Sequence, residues 1–139
     1  MRQSFEFPAD TSVLAEIGEL IADAAFKAGF NDGEIGDIQL AVDEACTNCI
    51  RHGLHEDPAS TFRISIRWAP DEMEILVCEH GAPFDPDDVK MPDLKATLEK
   101  RPVGKLGIYF IRKMMDEVEY HTGRDGEKTL RMLKRKFRI

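Results

Sequence analysis

The sequence predicts an α+β fold, a two-layer sandwich in which one mixed, mostly antiparallel sheet is covered on one face by three helices. Three observations carry this. Two long segments near the N-terminus place apolar residues at helical spacing. The remaining apolar segments mostly alternate at period two and pair around tight turns. The order is strand, helix, helix, strand, strand, long loop, helix, strand, strand, which suits a single sheet with helices on one side. At 139 residues the chain is one domain, 1–139, large enough for a real core.

Taken in order, Ser4 to Phe7 alternates polar and aromatic residues and reads as a short strand ending at Pro8. Asp10-Thr11-Ser12 supplies helix caps. Val13, Leu14, Ile17, Leu20, Ile21, Ala24 and Ala28 then follow helical spacing, and Gly29 ends that helix. Asn31-Asp32-Gly33 reads as a turn. A second helix is expected from about Ile35 to Arg51, stopped by Gly53. Phe62, Ile64, Ile66 and Trp68 alternate along a half-buried strand. Pro70-Asp71-Glu72 turns the chain into a strand carrying Met73, Ile75 and Val77, which completes a hairpin. Residues from Asp85 to Lys105 are rich in Pro, Asp and Lys with little periodicity, so a long mobile loop is expected. Leu106 to Met115 reads as a short helix with Ile108, Phe110, Ile111 and Met114 on its apolar face. Val118 to His121 and Thr129 to Phe137 are strands around the turn Gly123-Arg124-Asp125-Gly126.

Composition narrows the function. Hydrophobic content of 42% and charged content of 32% are ordinary for a soluble globular protein. No apolar run approaches the length that spans a bilayer. The N-terminus shows no signal-peptide pattern and the three cysteines form no secreted framework, so a cytoplasmic protein is expected. The net charge of -7 argues against general nucleic-acid binding. Its distribution is uneven: 7 basic and 21 acidic residues in 1–99, but 12 basic and 5 acidic in 100–139. The basic end is most simply a solvated strand face; a basic rim near phosphates, or a surface for an acidic partner, is the functional alternative.

The second helix carries the chemistry. Glu44, Asn48 and His52 are spaced four residues apart, so they share one helix face. Around them stand Ile38, Leu40, Ala41, Val42, Ala45, Cys46, Cys49 and Ile50, the pattern of a helix buried nearly all round. Polar groups there are costly unless paired. A polar seam closed by side-chain hydrogen bonds would satisfy them. So would a hard cation such as Mg²⁺, held by a carboxylate and an amide oxygen. Two later segments favour a ligand. A strand runs into Glu79-His80-Gly81-Ala82-Pro83-Phe84-Asp85, where a carboxylate can accept from an amine while a glycine admits a flat ring. Gly104-Lys105-Leu106-Gly107 then opens a helix, where backbone N–H groups can approach phosphate oxygens. Either segment alone is more often a turn or a strand exit.

Together these motifs resemble the GHKL (histidine-kinase-like) ATPase superfamily, and within it the anti-sigma-factor serine/threonine kinases. The matching residues are Glu44-Ala45-Cys46-Thr47-Asn48 with His52-Gly53, then Glu79-His80-Gly81-Ala82-Pro83-Phe84-Asp85, then Gly104-Lys105-Leu106-Gly107. Met115-Asp116-Glu117-Val118-Glu119-Tyr120 is similar to the family's lead into its last hairpin. The resemblance implies a Bergerat-type ATP-binding fold with an ATP lid over about 86–105, and ATP and Mg²⁺ as cofactors. It implies that Asn48 binds the Mg²⁺ that bridges the phosphates and that Glu44 is the general base. Glu79 would read the adenine amine, with Gly81 allowing close approach. Gly104, Lys105 and Gly107 would cradle phosphates, and Thr129 would help hold adenine through water. His52 would orient the helix end. The implied partners are an anti-sigma-antagonist protein of the STAS type, a sigma factor and a second copy of the chain, with no nucleic acid and no membrane. The chain departs from the family pattern twice. Glu79 stands where the family has aspartate, and Gly126-Glu127-Lys128 stands where it often has Gly-x-Asn.

Three other functions compete. One is an ATP-binding partner switch without phosphoryl transfer. Another is a detached sensor histidine-kinase core, disfavoured because no dimerisation helix with a phospho-acceptor histidine precedes the domain. The third is a zinc or redox module built on Cys46, Cys49, His52 and His55. On a helix each step of three residues rotates by about 300°, so those four side chains fan around the cylinder rather than converge.

Overall fold

The computed structural model describes residues 1–80 and 105–136, with the backbone alone for 105–107. Five strands and three α-helices follow in the order β1 (Arg2–Pro8), α1 (Leu14–Ala28), α2 (Asp32–Asn48), β2 (Thr61–Ala69), β3 (Glu72–Glu79), α3 (Lys105–Met114), β4 (Glu117–Thr122) and β5 (Lys128–Arg135). The strands form one sheet in the order β1-β2-β3-β5-β4. The two-layer α+β arrangement is the one expected. The sheet, however, is antiparallel at every described pairing rather than mixed. The reason is the last hairpin. The turn after Thr122 makes β4 and β5 antiparallel partners, and β5 then inserts beside β3 in the opposite sense.

Strand alternation sorts the side chains onto two faces. Phe62, Ile64, Ile66 and Trp68 of β2, Met73, Ile75 and Val77 of β3, and Leu130 and Met132 of β5 are buried towards the helices. Ile17 and Ile21 of α1, Ile38, Ala41, Val42 and Ala45 of α2, and Ile108 and Ile111 of α3 meet them in one core. α2 packs between α1 and α3. The opposite face is polar. There Glu74 accepts from Arg131 Nε at 2.7 Å and from Arg67 Nε at 3.4 Å.

Local chemistry sets the helix ends. Asp10 accepts from the Ser12 N–H and starts a 3₁₀ turn that leads into α1. Gly29 ends α1 at φ +98°, a left-handed conformation that costs glycine little. α2 begins at Asp32, three residues before the expected start. Asn31 Oδ1 accepts from the Glu34 N–H at 2.8 Å, and the Asn31 N–H donates to Glu34 Oε1 at 2.9 Å. This reciprocal capping box makes Asn31-Asp32-Gly33 a helix start rather than a free turn. Leu40, expected in the buried face, is 41% exposed. α2 gives way at Cys49–Gly53 to a π-helical turn, closed by the Leu54 N–H donating to the Cys49 carbonyl at 2.9 Å. Such wide turns recur at functional sites.

Candidate functional site

The C-terminal end of α2, its π-helical turn and the C-terminal end of β3 enclose a pocket. Its walls are Ala45, Asn48, Cys49, Gly53, Val77, Glu79, Ile108, Tyr120, Lys128 and Leu130. Asn48 is 8% exposed, and its Nδ2 is buried without a hydrogen-bond partner among the described residues. A buried amide left unpaired is costly, so a ligand that engages it would recover that energy. Glu79 is equally buried and points inward at the end of β3. Its carboxylate lies over Gly53: a Cβ built there would stand 2.8 Å from Glu79 Oε1. Glycine at 53 therefore makes room for glutamate at 79.

Glu44 sits one turn before Asn48 on α2 and is half-buried. Burial raises its carboxyl above the ordinary value, the Asp43 carboxylate adds to the rise, and Arg51 opposes it. A carboxylate raised in this way is a better proton acceptor than a solvated one. His52 follows within the π-helical turn and is half-buried.

The structure brings Asn48 and Glu79 into one pocket; Glu44 lies one helical turn before Asn48 and is not among the lining residues. Lys105 and Gly107 fall in the first turn of α3, whose Ile108 lines that pocket. Gly81, Gly104 and the lid segment before Lys105 lie outside the described residues. Thr129 is not in the pocket. It is on the outer face of the sheet, where its hydroxyl donates to Cys78 Sγ at 3.5 Å. The β5 side chain that faces the helices is its neighbour Lys128, which is 7% exposed. Strand parity could have found it: Leu130 and Met132 are core residues, so 128 shares their face and 129 does not.

The zinc or redox reading fails on geometry. Among the described residues no group of histidines, cysteines and acids could hold a metal ion. Cys46 and Cys49 are free and buried. Burial pushes both thiols well above their ordinary range, helped at Cys46 by Asp43 and at Cys49 by Glu79. Such thiols are poor nucleophiles and poor ligands. His55 is exposed in a left-handed backbone conformation beyond the turn.

The donor set fits Mg²⁺. Asn48 would offer its amide oxygen to the cation, whose other positions would go to water and phosphate oxygens, and Glu44 one turn away would stay free to take a proton.

Comparison with known proteins agrees with this geometry. The model of the histidine kinase-like ATPase domain family matches residues 7–134. The serine-protein kinase RsbW of Bacillus subtilis (strain 168) is 32% identical over 123 residues, covering 84% of this chain and 76% of that protein. The serine-protein kinase RsbW of Bacillus thuringiensis subsp. konkukian (strain 97-27) is 31% identical over 118 residues, covering 82% and 73%. Among solved structures, the RsbU and RsbW domains of Rv1364c from Mycobacterium tuberculosis superpose with a TM-score of 0.68 at 14% identity. That match covers 97% of this chain but only 32% of the mycobacterial one. The SiaB-SiaC complex from Pseudomonas aeruginosa gives a TM-score of 0.58 at 18% identity, covering 95% and 88%. At those identities the two structures speak for the fold alone. The chain belongs to the histidine kinase-like ATPase family, among its serine-protein kinases. Among the described residues no helix is long and apolar enough to cross a membrane.

Proposed function

We propose that this protein binds ATP with Mg²⁺ in the Asn48–Glu79 pocket and phosphorylates a serine or threonine of a small anti-sigma-antagonist protein of the STAS type. It sequesters a sigma factor by partner switching and acts as a cytoplasmic homodimer. The observation that carries the reading is the buried Asn48 Nδ2, a donor unpaired among the described residues and suited to a phosphate oxygen, in one pocket with Glu79 and on a residue one turn from Glu44. The names of the Bacillus relatives support a serine kinase.

Each residue then has a task. Asn48 would hold the Mg²⁺, which neutralises charge on the phosphates when bound. Glu79 accepts from the adenine amine. Glu44 takes the proton of the attacking hydroxyl, a step that typically contributes about 10²–10⁴-fold. The start of α3, with Gly104, Lys105 and Gly107, and Gly81 after β3, supply backbone approach to phosphate and base.

One feature favours a switch that binds ATP without transferring phosphate. Glu79 is a methylene longer than the family's aspartate and is folded against Gly53. A single experiment separates the two readings. The parent and E44Q are incubated with γ-labelled ATP, Mg²⁺ and the antagonist protein that co-purifies from the native cell. Label on a serine or threonine of that protein, lost in E44Q, supports the kinase. No transfer by the parent, with ATP binding intact, supports the non-catalytic switch.

A further inference from the structure

One residue in the pocket wall has no task in that scheme. Lys128 is only 7% exposed and lines the pocket together with Asn48 and Glu79. Its partner across the β3–β5 ladder is Glu79, so the two side chains rise side by side from the inner face of the sheet. A lysine is rarely buried to this degree unless something pairs with it. Among the described residues its ammonium makes no hydrogen bond or ion pair. A donor in the pocket wall, next to the carboxylate that reads the base, can serve an acceptor in the ligand.

We infer that Lys128 is a base-reading residue, whose ammonium donates to a ring nitrogen of adenine while Glu79 accepts from the neighbouring amine. The inference rests on the nucleotide reading of this pocket. Adenine carries an amine donor flanked by two ring acceptors, N1 and N7. An acceptor and a donor standing on adjacent strands match that pattern. Lys128 lies beside Glu79 at the base end, on a different element from Asn48 and the start of α3, which serve the phosphates. Tyr120 and Leu130 line the same wall as Lys128, whose apolar stem would pack there while its charged tip reaches the base.

The test is a binding cycle by calorimetry with Mg²⁺ present. ATP, 1-deaza-ATP, 7-deaza-ATP and inorganic tripolyphosphate are titrated into the parent and into K128M, which keeps the apolar stem. The parent is expected to bind one of the two deaza analogues about tenfold more weakly than ATP, the loss of one charge-assisted hydrogen bond. In K128M that gap closes, ATP falls to the level of the analogue, and tripolyphosphate affinity is unchanged. If K128M does not fold, K128Q, with a shorter neutral donor, is read by the same comparison. Parent-like binding of ATP and both analogues by the variant would show that the lysine only packs and overturn the inference. An equal loss for tripolyphosphate would make it a phosphate ligand and overturn it too. A parent that binds no ATP at all would remove the nucleotide reading itself, a distinguishable result.

Discussion

A Cβ at position 53 would lie 2.8 Å from Glu79 Oε1 and 3.0 Å from its Cδ, distances that side chains do not tolerate. Gly53→Ala is therefore expected to push the Glu79 carboxylate out of place and weaken ATP binding about tenfold. Shortening the side chain in the same protein, Glu79→Asp, should restore much of it, because the aspartate stops short of the new methyl group. Calorimetry on the two single variants and the double variant checks this; an additive double variant would mean that the two residues are not coupled. Glu44 makes a second residue-scale prediction. Only its ionised form accepts a proton, and burial together with Asp43 raises its carboxyl. Phosphoryl transfer should then rise with pH through that raised value and level off above it. In Glu44→Gln the rate should fall by about 10²–10⁴-fold and lose this dependence. A parent-like pH profile in Glu44→Gln would move the base elsewhere. At this scale residue type and spacing alone single out Glu44, Asn48 and Glu79; the fold puts Asn48 and Glu79 in one pocket and leaves Glu44 one helical turn before Asn48. Thr129 is different: motif position points to the threonine, while strand parity turns it to Cys78 and turns Lys128 inward.

Elements obey simpler rules, and their ends were harder to place than their cores. Asn31-Asp32-Gly33 has the composition of a turn, but Glu34 completes a capping box and pulls the start of α2 back to Asp32. Turn and cap use the same residue types, so only the glutamate three positions on separates them. Asn31→Ala should cost about 1 kcal/mol in stability, read as a lower denaturant midpoint, with ATP affinity unchanged because the cap lies at the far end of α2 from the pocket. The sheet gives a pH prediction. Desolvation raises the Glu74 carboxyl, but hydrogen bonds from Arg131 and Arg67 and their charges outweigh it, so the group sits below its ordinary value. A carboxyl lowered by folding contributes stability at neutral pH, and that contribution is lost as the pH falls through the lowered value. Glu74→Gln should be less stable than the parent near neutral pH, and the difference should shrink on acidification. A constant difference in melting temperature from about pH 7 to about pH 3 would contradict this.

For the whole molecule, the helices and strands were legible because apolar periodicity is a local property. The order in which strands meet is not local. Nothing in the spacing of Val118, Tyr120, Leu130 and Met132 says that β5 rather than β4 pairs with β3, and the antiparallel sheet follows from that insertion. The cysteine–histidine string looked like a metal site on paper; the core claims Cys46 and Cys49, and the turn sends His55 outward. A protein of this family that works as a homodimer should scatter light with twice the mass of the chain; a monomeric mass at working concentration would remove the dimer. The most direct test of a nucleotide-driven kinase is the titration of ATP, with and without Mg²⁺, into the parent and into Asn48→Ala. Tight binding by the parent only when Mg²⁺ is present, and loss of most of that affinity in Asn48→Ala, is the expected result. Equal affinity with and without the metal, or in the two proteins, would contradict the assignment of this pocket.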